Sequence, residues 1–156
     1  MTKKIELKLT LLEINLPTPA APIANYLGFV KSGNQVFISG QLPLENGELK
    51  YVGKVGSQIS VDDAKEAARL CAINVLAQLK AACDGDLDRV TKCIKLGVFV
   101  NADANFTDHS AVANGASDLV VEVFIGDVGK HVRAAVGSGS LPRGVAVEVD
   151  AIFEIN

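Results

Sequence analysis

Hydrophobic residues recur with two different periods along this chain of 156 residues. Over 145–155 and within 90–101 they alternate with polar residues, which predicts strands that bury one face. Over 64–82 and 112–123 they recur every three or four residues, which predicts two amphipathic helices. With a hairpin predicted before the first of these helices, the order is β-β-α-β-α-β-β. This order predicts an α+β fold in which one mixed β-sheet is covered on one face by the two helices.

Turn residues and helix caps mark the limits of these elements. Gly33-Asn34 predicts the turn of a hairpin over 29–39, and Asn46-Gly47 predicts a second turn, because both residue types tolerate positive φ. Ser60 is predicted to cap the first of the two helices, and Thr107 the second. Both helices therefore connect strands of the predicted sheet.

The N-terminal segment is less regular. Residues 5–11 alternate like a strand, but their Glu and Lys content suits a helix and Leu12 breaks the alternation. We predict a short helix within an N-terminal extension over 1–16. The segment from Leu16 to Pro22 is predicted to be an extended linker, because its prolines disfavour helix. No change of composition marks a domain boundary, so a single domain over 1–156 is expected.

Composition and charge narrow the classes of function. The net charge is −3 and the only run of basic residues is Lys3-Lys4, so the basic face that binds nucleic acid is not expected. No apolar run approaches the ~20 residues that span a bilayer, and no signal peptide is recognised. The three cysteines, Cys71, Cys83 and Cys93, match no zinc spacing and are expected to be buried, reduced thiols. These features predict a cytoplasmic protein without a nucleic-acid or membrane partner.

One arginine and one glutamate stand out near the C-terminus. Arg133 opens the apolar run 133–136, and Glu148 lies in the last predicted strand, after a Gly/Ser-rich connection. Two strands joined in this way can bring a guanidinium and a carboxylate into one pocket. Arginine offers a planar fork of donors to a substrate carboxylate, and glutamate can position a water or move a proton. Both residues could equally be solvated strand ends, so the pattern alone leaves two interpretations open.

Two motifs make the chain similar to a known family. Arg133-Ala134-Ala135-Val136, with Gly139, Leu141 and Val147-Glu148 after it, resembles the signature of the Rid family, also called the YjgF, enamine/imine deaminase or endoribonuclease L-PSP family. Upstream, the segments Ala21-Pro22-Ile23-Ala24-Asn25-Tyr26 and Val36-Phe37-Ile38-Ser39-Gly40-Gln41-Leu42-Pro43 resemble its N-terminal block. The resemblance extends from about residue 16 to residue 155.

The resemblance implies a fold, an assembly and a set of site residues. The fold is the chorismate-mutase-like fold, assembled as a homotrimer with ligand clefts between neighbouring subunits. By this resemblance Arg133 holds the carboxylate of a 2-imino or 2-enamino acid, and Glu148 assists the water that attacks the imine carbon. Tyr26, Ser39 and Asn114 line the same cleft. The implied reaction is hydrolysis to a 2-oxo acid and ammonia, which requires no metal and no organic cofactor.

The chain also departs from the family pattern. Ala135 occupies the position at which many deaminating members have a cysteine, and His131-Val132 replaces small residues before the arginine. His131 either borders the site or lies on the surface where the strand begins.

Three functions remain open. The favoured one is an enamine/imine deaminase, because Arg133 and Glu148 are both retained. The second is a non-catalytic module that binds a small carboxylate in the same cleft. The third is an endoribonuclease, which the acidic balance and the absence of paired catalytic histidines disfavour.

Overall fold

The computed structural model describes residues 3–19, 21–22 and 24–156. Ala20 of the predicted linker and Ile23 of the N-terminal motif lie outside the described residues, as does Thr2. The described linker residues form neither helix nor strand, as predicted.

Within the described residues, five strands form one sheet and two short strands form a separate hairpin. In chain order they are β1 (Phe29–Ser32), β2 (Gln35–Gln41), β3 (Leu44–Glu45), β4 (Glu48–Leu49), β5 (Val90–Asn101), β6 (Val132–Ser138) and β7 (Val147–Ile155). The order across the large sheet is β1-β2-β7-β5-β6, and its β5–β6 pair is parallel while the other pairs are antiparallel. The predicted mixed sheet and both predicted turns are confirmed. The turn between β3 and β4 has positive φ at Asn46 (51°) and Gly47 (80°), which is the combination that favours these two residue types.

Three α-helices pack on the sheet: α1 (Lys4–Leu11), α2 (Val61–Ala82) and α3 (His109–Val123). The predicted N-terminal helix is therefore present as α1, which places Ile5 and Leu9 in the core. The predicted cap of α2 is also confirmed, because the Ser60 hydroxyl accepts the N–H of Asp63 at 3.1 Å. Small buried residues such as Ala68 and Cys71 let α2 lie close to the sheet, and the Cys71 thiol donates to the Val147 carbonyl at 3.4 Å.

The predicted cap of α3 is wrong. The helix begins at His109, its N-cap residue is Asp108, and no side chain bonds to the backbone at that cap. A turn precedes it, closed by the Phe106 N–H on the Asp103 carbonyl at 3.0 Å. The rings of Phe106 and His109 then meet edge to face, with centroids 5.3 Å apart. This contact accompanies the start of the helix at His109, and Thr107 is not its N-cap residue.

None of the described helices packs on the opposite face of the sheet. Cross-strand pairing puts Val30, Phe37, Ile152, Lys95 and Val132 in one row across that face, since paired residues project to the same side. Phe37 is 41% exposed and Val132 is 65% exposed. One copy of the chain therefore leaves a partly apolar sheet face uncovered.

The three cysteines are free and buried, as predicted. Burial raises the pKa of Cys93 to about 12 and raises the pKa of Cys71 well above its ordinary value. Burial also raises the pKa of Cys83. Among the described helices, none is long and apolar enough to cross a membrane.

Candidate functional site

The sheet order separates Arg133 from Glu148 within one copy of the chain. Strand β5 lies between their strands, β6 and β7. Arg133 is paired with Leu96, which is buried beneath the helices, whereas Glu148 is paired with Phe99. Leu96 and Phe99 are three residues apart on a regular part of β5, so they project to opposite faces. The expectation that the short connection brings the two charges into one pocket is therefore wrong for a single copy.

Arg133 is held at the edge of the sheet by α3. One guanidinium nitrogen, Nη1, donates to the Asn114 Oδ1 at 2.9 Å and to the Ser117 Oγ at 3.1 Å. In residues 3–19, 21–22 and 24–156, no carboxylate lies within 4.0 Å of this guanidinium. Nη2 and Nε make no hydrogen bond to the described residues and can donate to a ligand carboxylate. Asn114 thus orients the arginine.

His131 completes this hydrogen-bond network. Its Nδ1 lies 2.7 Å from the Gly129 carbonyl, and its Nε2 lies 2.9 Å from the Ser117 Oγ. A carbonyl can only accept, so in the neutral ring Nδ1 carries the proton and Nε2 accepts from the Ser117 hydroxyl. The Ser117 oxygen is then free to accept from Arg133. Hydrogen bonds to Asn114 and Ser117, two side chains of α3, thus hold the guanidinium in place. His131 joins this network through Ser117.

Glu148 lies beside a β-bulge in β2. The pairing of β2 with β7 shifts between Ile38 and Gln41, so Ser39 and Gly40 together oppose Asp150. The Glu148 carboxylate fills the space in which a side chain at position 40 would lie: a Cβ there would overlap its Oε1 and would lie 2.9 Å from its Cδ. Bulges of this kind often redirect side chains next to active sites.

The electrostatics of the two neighbouring carboxyl groups favour retention of a proton. Burial raises the pKa of Glu148, and the negative charge of Asp150 raises it further. Burial also raises the pKa of Asp150, while the Lys95 charge and the Gly97 N–H act in the opposite direction. The pKa of Glu148 therefore lies closer to neutral pH than the pKa of an exposed glutamate does.

Tyr26 and Ser39 line a pocket of about 250 Å³ that also includes Gly40. The Ser39 hydroxyl donates to the Leu27 carbonyl at 2.6 Å, so its oxygen can accept a hydrogen bond from a ligand but has no proton left to donate. Tyr26 is 53% exposed. Glu148 does not line this pocket, but its carboxylate lies against Gly40, which does.

The five predicted site residues therefore form two groups. Arg133 and Asn114 are hydrogen-bonded to each other at the β6 edge. Tyr26 and Ser39, with Glu148 next to Gly40, lie on the side of β2. Between β2 and β6 lie β7 and β5, and three strand spacings correspond to roughly 14 Å.

The sequence-based reasoning missed several residues of both groups. Ser117 lies three residues after Asn114, a spacing that puts both on one face of a helix, and this signal was available. The bulge at Ser39-Gly40 and the role of Asp150 depend on strand register, which the sequence pattern did not define. In the part of the chain that the structure describes, no cluster of three His, Cys, Asp or Glu side chains is arranged to hold a metal ion.

A family model matches residues 6–152 of the chain, and its description is "YjgF/chorismate_mutase-like, putative endoribonuclease". The match covers nearly the whole chain, and the solved structures with the same architecture agree with it. The chain belongs to this YjgF/chorismate-mutase-like family, which is the Rid family that the sequence motifs indicated.

Three similar proteins share about a third to a half of the sequence. Protein TCP17 of Trypanosoma cruzi is 48% identical over 98% of this chain and 95% of its own length. The structure of Atu1372 from Agrobacterium tumefaciens, described as of unknown function, is 47% identical with a TM-score of 0.91, covering 97% of this chain and 92% of that one. A "putative endoribonuclease" of Shewanella oneidensis MR-1 is 33% identical with a TM-score of 0.93, covering 98% and 100%.

Two more distant relatives have informative descriptions. A 2-iminobutanoate/2-iminopropanoate deaminase of Dermatophagoides farinae is 26% identical over 91% of this chain and 94% of its own length. The structure of Escherichia coli TdcF with bound serine is 26% identical with a TM-score of 0.64, covering 89% of this chain and 94% of that one. The names within the family thus include both an imine deaminase and endoribonucleases.

Proposed function

We propose that this protein hydrolyses reactive 2-imino and 2-enamino acids to 2-oxo acids and ammonia, in clefts between the subunits of a homotrimer. The observation that carries the proposal is the separation of the site into two groups. Arg133 has unused donors at the β6 edge, and the Tyr26–Ser39 pocket with Glu148 lies across the sheet. A heterologous contact in a closed ring brings different surfaces of neighbouring copies together, so the two groups can complete one site.

The chemistry needs little more than positioning. The fork of Arg133 binds the substrate carboxylate, and the ordered contacts to Asn114 and Ser117 hold that fork in place. An imine carbon is already electrophilic, so fixing a water next to it supplies much of the acceleration. The water adds to the carbon as Glu148 takes one of its protons and passes it to the nitrogen, which gives a carbinolamine. The C–N bond then breaks as the carbinolamine hydroxyl proton passes through the same carboxylate to the nitrogen, so that ammonia leaves and the 2-oxo group forms.

The environment of Glu148 suits this proton transfer. A general base works best when its pKa is near the operating pH, and burial and Asp150 raise the pKa of Glu148 in that direction. Ser39 can accept a hydrogen bond from the substrate nitrogen, because its own proton is engaged with the Leu27 carbonyl.

Two comparisons support this choice within the family. The deaminase of Dermatophagoides farinae acts on small 2-imino acids by its name, and TdcF holds serine, which carries the same α-carboxylate. The net charge of −3 gives no comparable support to the endoribonuclease activity, which needs a surface that attracts phosphates.

Complementation between two inactive variants tests the shared cleft. Arg133→Ala and Glu148→Gln are each expected to release ammonia slowly from imines made by an amino-acid oxidase, with Glu148→Gln reduced by roughly 100- to 10,000-fold. If the two residues come from different copies, co-refolding equal amounts of both variants restores about one functional cleft in four by random assembly. Arg133→Ala mixed with itself is the control.

Three results would contradict the proposal. No recovery in the mixture would place both residues in one copy or outside the site. A mass in light scattering other than about 49 kDa, three times the 16.4 kDa chain, would exclude the trimer. If wild type and Glu148→Gln bind a 2-oxo acid equally and neither releases ammonia, the protein is the non-catalytic binding module instead.

A further inference from the structure

A second arginine, which is exposed, lines the pocket of Tyr26 and Ser39. Arg143 is the one charged residue among the described residues that line this pocket. Its guanidinium makes no hydrogen bond and no ion pair to any part of the chain that the structure describes. The remaining wall is largely apolar, with Leu42, Leu44 and Leu49 among its residues. A pocket with one unpaired cation on an apolar wall favours a ligand that carries an anionic group.

The backbone fixes the position of Arg143. Its φ of 57° and ψ of 17° are left-handed, a conformation that costs a residue other than glycine about 1–2 kcal/mol. The turn is nevertheless held firmly. The buried Asn101 side chain donates to the Val145 carbonyl at 3.1 Å, and the Gly53 N–H donates to the Gly144 carbonyl at 2.8 Å. The fold thus maintains a strained turn that carries this arginine, as is often found at binding sites.

Arg133 and Arg143 have different surroundings. Arg133 is bonded to α3 at the β6 edge, whereas Arg143 lines the pocket beside β2. Under the proposed function, Arg133 of a neighbouring copy holds the α-carboxylate. The substrate then extends its side chain into the pocket of about 250 Å³, which is large enough for a short side chain but not for a large ligand.

We infer that Arg143 binds a second carboxylate, on the substrate's side chain, so that the site prefers dicarboxylic 2-imino acids over monocarboxylic ones. This inference rests on the proposed function, because it takes the pocket to hold the substrate side chain. A planar arginine fork pairs with a carboxylate through two parallel hydrogen bonds. The Arg143 guanidinium makes no such hydrogen bonds with an alkyl side chain. We therefore expect the dicarboxylic substrate to bind more tightly than the monocarboxylic one.

Binding of two matched 2-oxo acids tests the inference without any catalytic step. 2-Oxoglutarate and 2-oxopentanoate have the same number of carbons and differ by the terminal carboxylate. Calorimetry of the wild-type protein should show roughly 10- to 100-fold tighter binding of 2-oxoglutarate, the usual worth of a charged hydrogen-bonded pair. Arg143→Asn should lose this preference and still fold, because asparagine tolerates left-handed φ. Arg143→Lys should keep part of it, since lysine keeps the charge but not the fork.

Arg69→Asn is the matched control, because Arg69 is on α2 and lines a different pocket; it should keep the full preference. Equal binding of the two acids by wild type would overturn the inference, as would a preference that persists in Arg143→Asn. Inorganic phosphate is the third probe. If it competes with 2-oxoglutarate at similar concentration in wild type, the pocket is a general anion site and the assignment to a substrate side chain fails.

The activity assay separates the two proposals. Imines generated from glutamate and from norvaline correspond to the same pair of acids. If both are hydrolysed with equal kcat/KM, the deaminase proposal stands and the subsite inference fails. If neither is hydrolysed but the binding preference is present, the deaminase proposal fails and the second carboxylate site stands.

Discussion

Gly40→Ala is the most direct test of where the Glu148 carboxylate must lie. The substitution adds one methyl group on the bulge of β2, at the place that the Glu148 side chain occupies. The overlapping atoms are the far end of a flexible side chain, so the carboxylate can move away while the backbone stays. The φ angle of Gly40 is not positive, so alanine fits its backbone.

The size of the movement follows from the distances. The new Cβ would lie 2.9 Å from the Glu148 Cδ, whereas ordinary contacts fall at 3.4–4 Å, so the carboxyl carbon must shift by about 0.5–1 Å, and the overlapping Oε1 must shift further. A misplacement of ~1 Å at a reacting group costs about 100-fold in rate. Replacing glycine at a compatible position stabilises a fold by ~0.4–1 kcal/mol, which offsets the cost of moving the side chain. We expect a melting temperature within about 4 °C of wild type.

Coupled ammonia release and thermal unfolding, measured on the same preparations, check this prediction. Gly139→Ala is the matched control, because a Cβ at position 139 meets no atom within 4 Å and should leave turnover unchanged. If Gly40→Ala turns over imines at the wild-type rate, the position of the Glu148 carboxylate does not matter and the proposed role of Glu148 is wrong. Equal losses in both alanine variants would indicate a general effect of stiffening the chain.

Three further predictions use different properties of the site. Arg133→Lys should be nearly as damaging as Arg133→Ala, which should weaken 2-oxo acid binding by about 2–5 kcal/mol; wild-type affinity in either variant, measured by calorimetry, would refute the clamp. The folded chain holds the Asp150 proton to higher pH than the unfolded chain does, because its pKa is raised above 3.8, so its contribution to stability is lost as pH rises through the raised value. The melting temperature of Asp150→Asn should therefore rise relative to that of wild type as the pH increases above about 4, and a difference that does not change with pH would contradict this. Excess EDTA should leave turnover intact, and a loss restored by added zinc would count against the mechanism.

The fold was largely predictable because its signals are local. Alternation along β7, helical spacing along α2 and the Asn46-Gly47 turn each depend on a few neighbouring residues. The start of α3 was predicted wrongly, because its N-cap residue is Asp108 and no side chain makes a cap hydrogen bond there, so the residue type at position 107 gave a misleading signal.

The arrangement of the candidate site was not predictable from the sequence, since its residues are proposed by resemblance and the resemblance does not give their positions in one copy of the chain. Strand order places β5 between β6 and β7, and no pattern in the sequence gives strand order. The position of Arg143 in the pocket depends on a left-handed turn between Pro142 and Gly144, which looks like an ordinary surface loop in the sequence.

Burial of all three cysteines has a consequence for redox chemistry. The thiolate is the form that reacts with alkylating agents and peroxides, and the raised pKa values of Cys71, Cys83 and Cys93 keep its population very small. Ala135 stands at the position where many family members carry a cysteine, so no thiol is expected beside Arg133. The protein should therefore keep its ligand binding under oxidising conditions that modify reactive, exposed thiols.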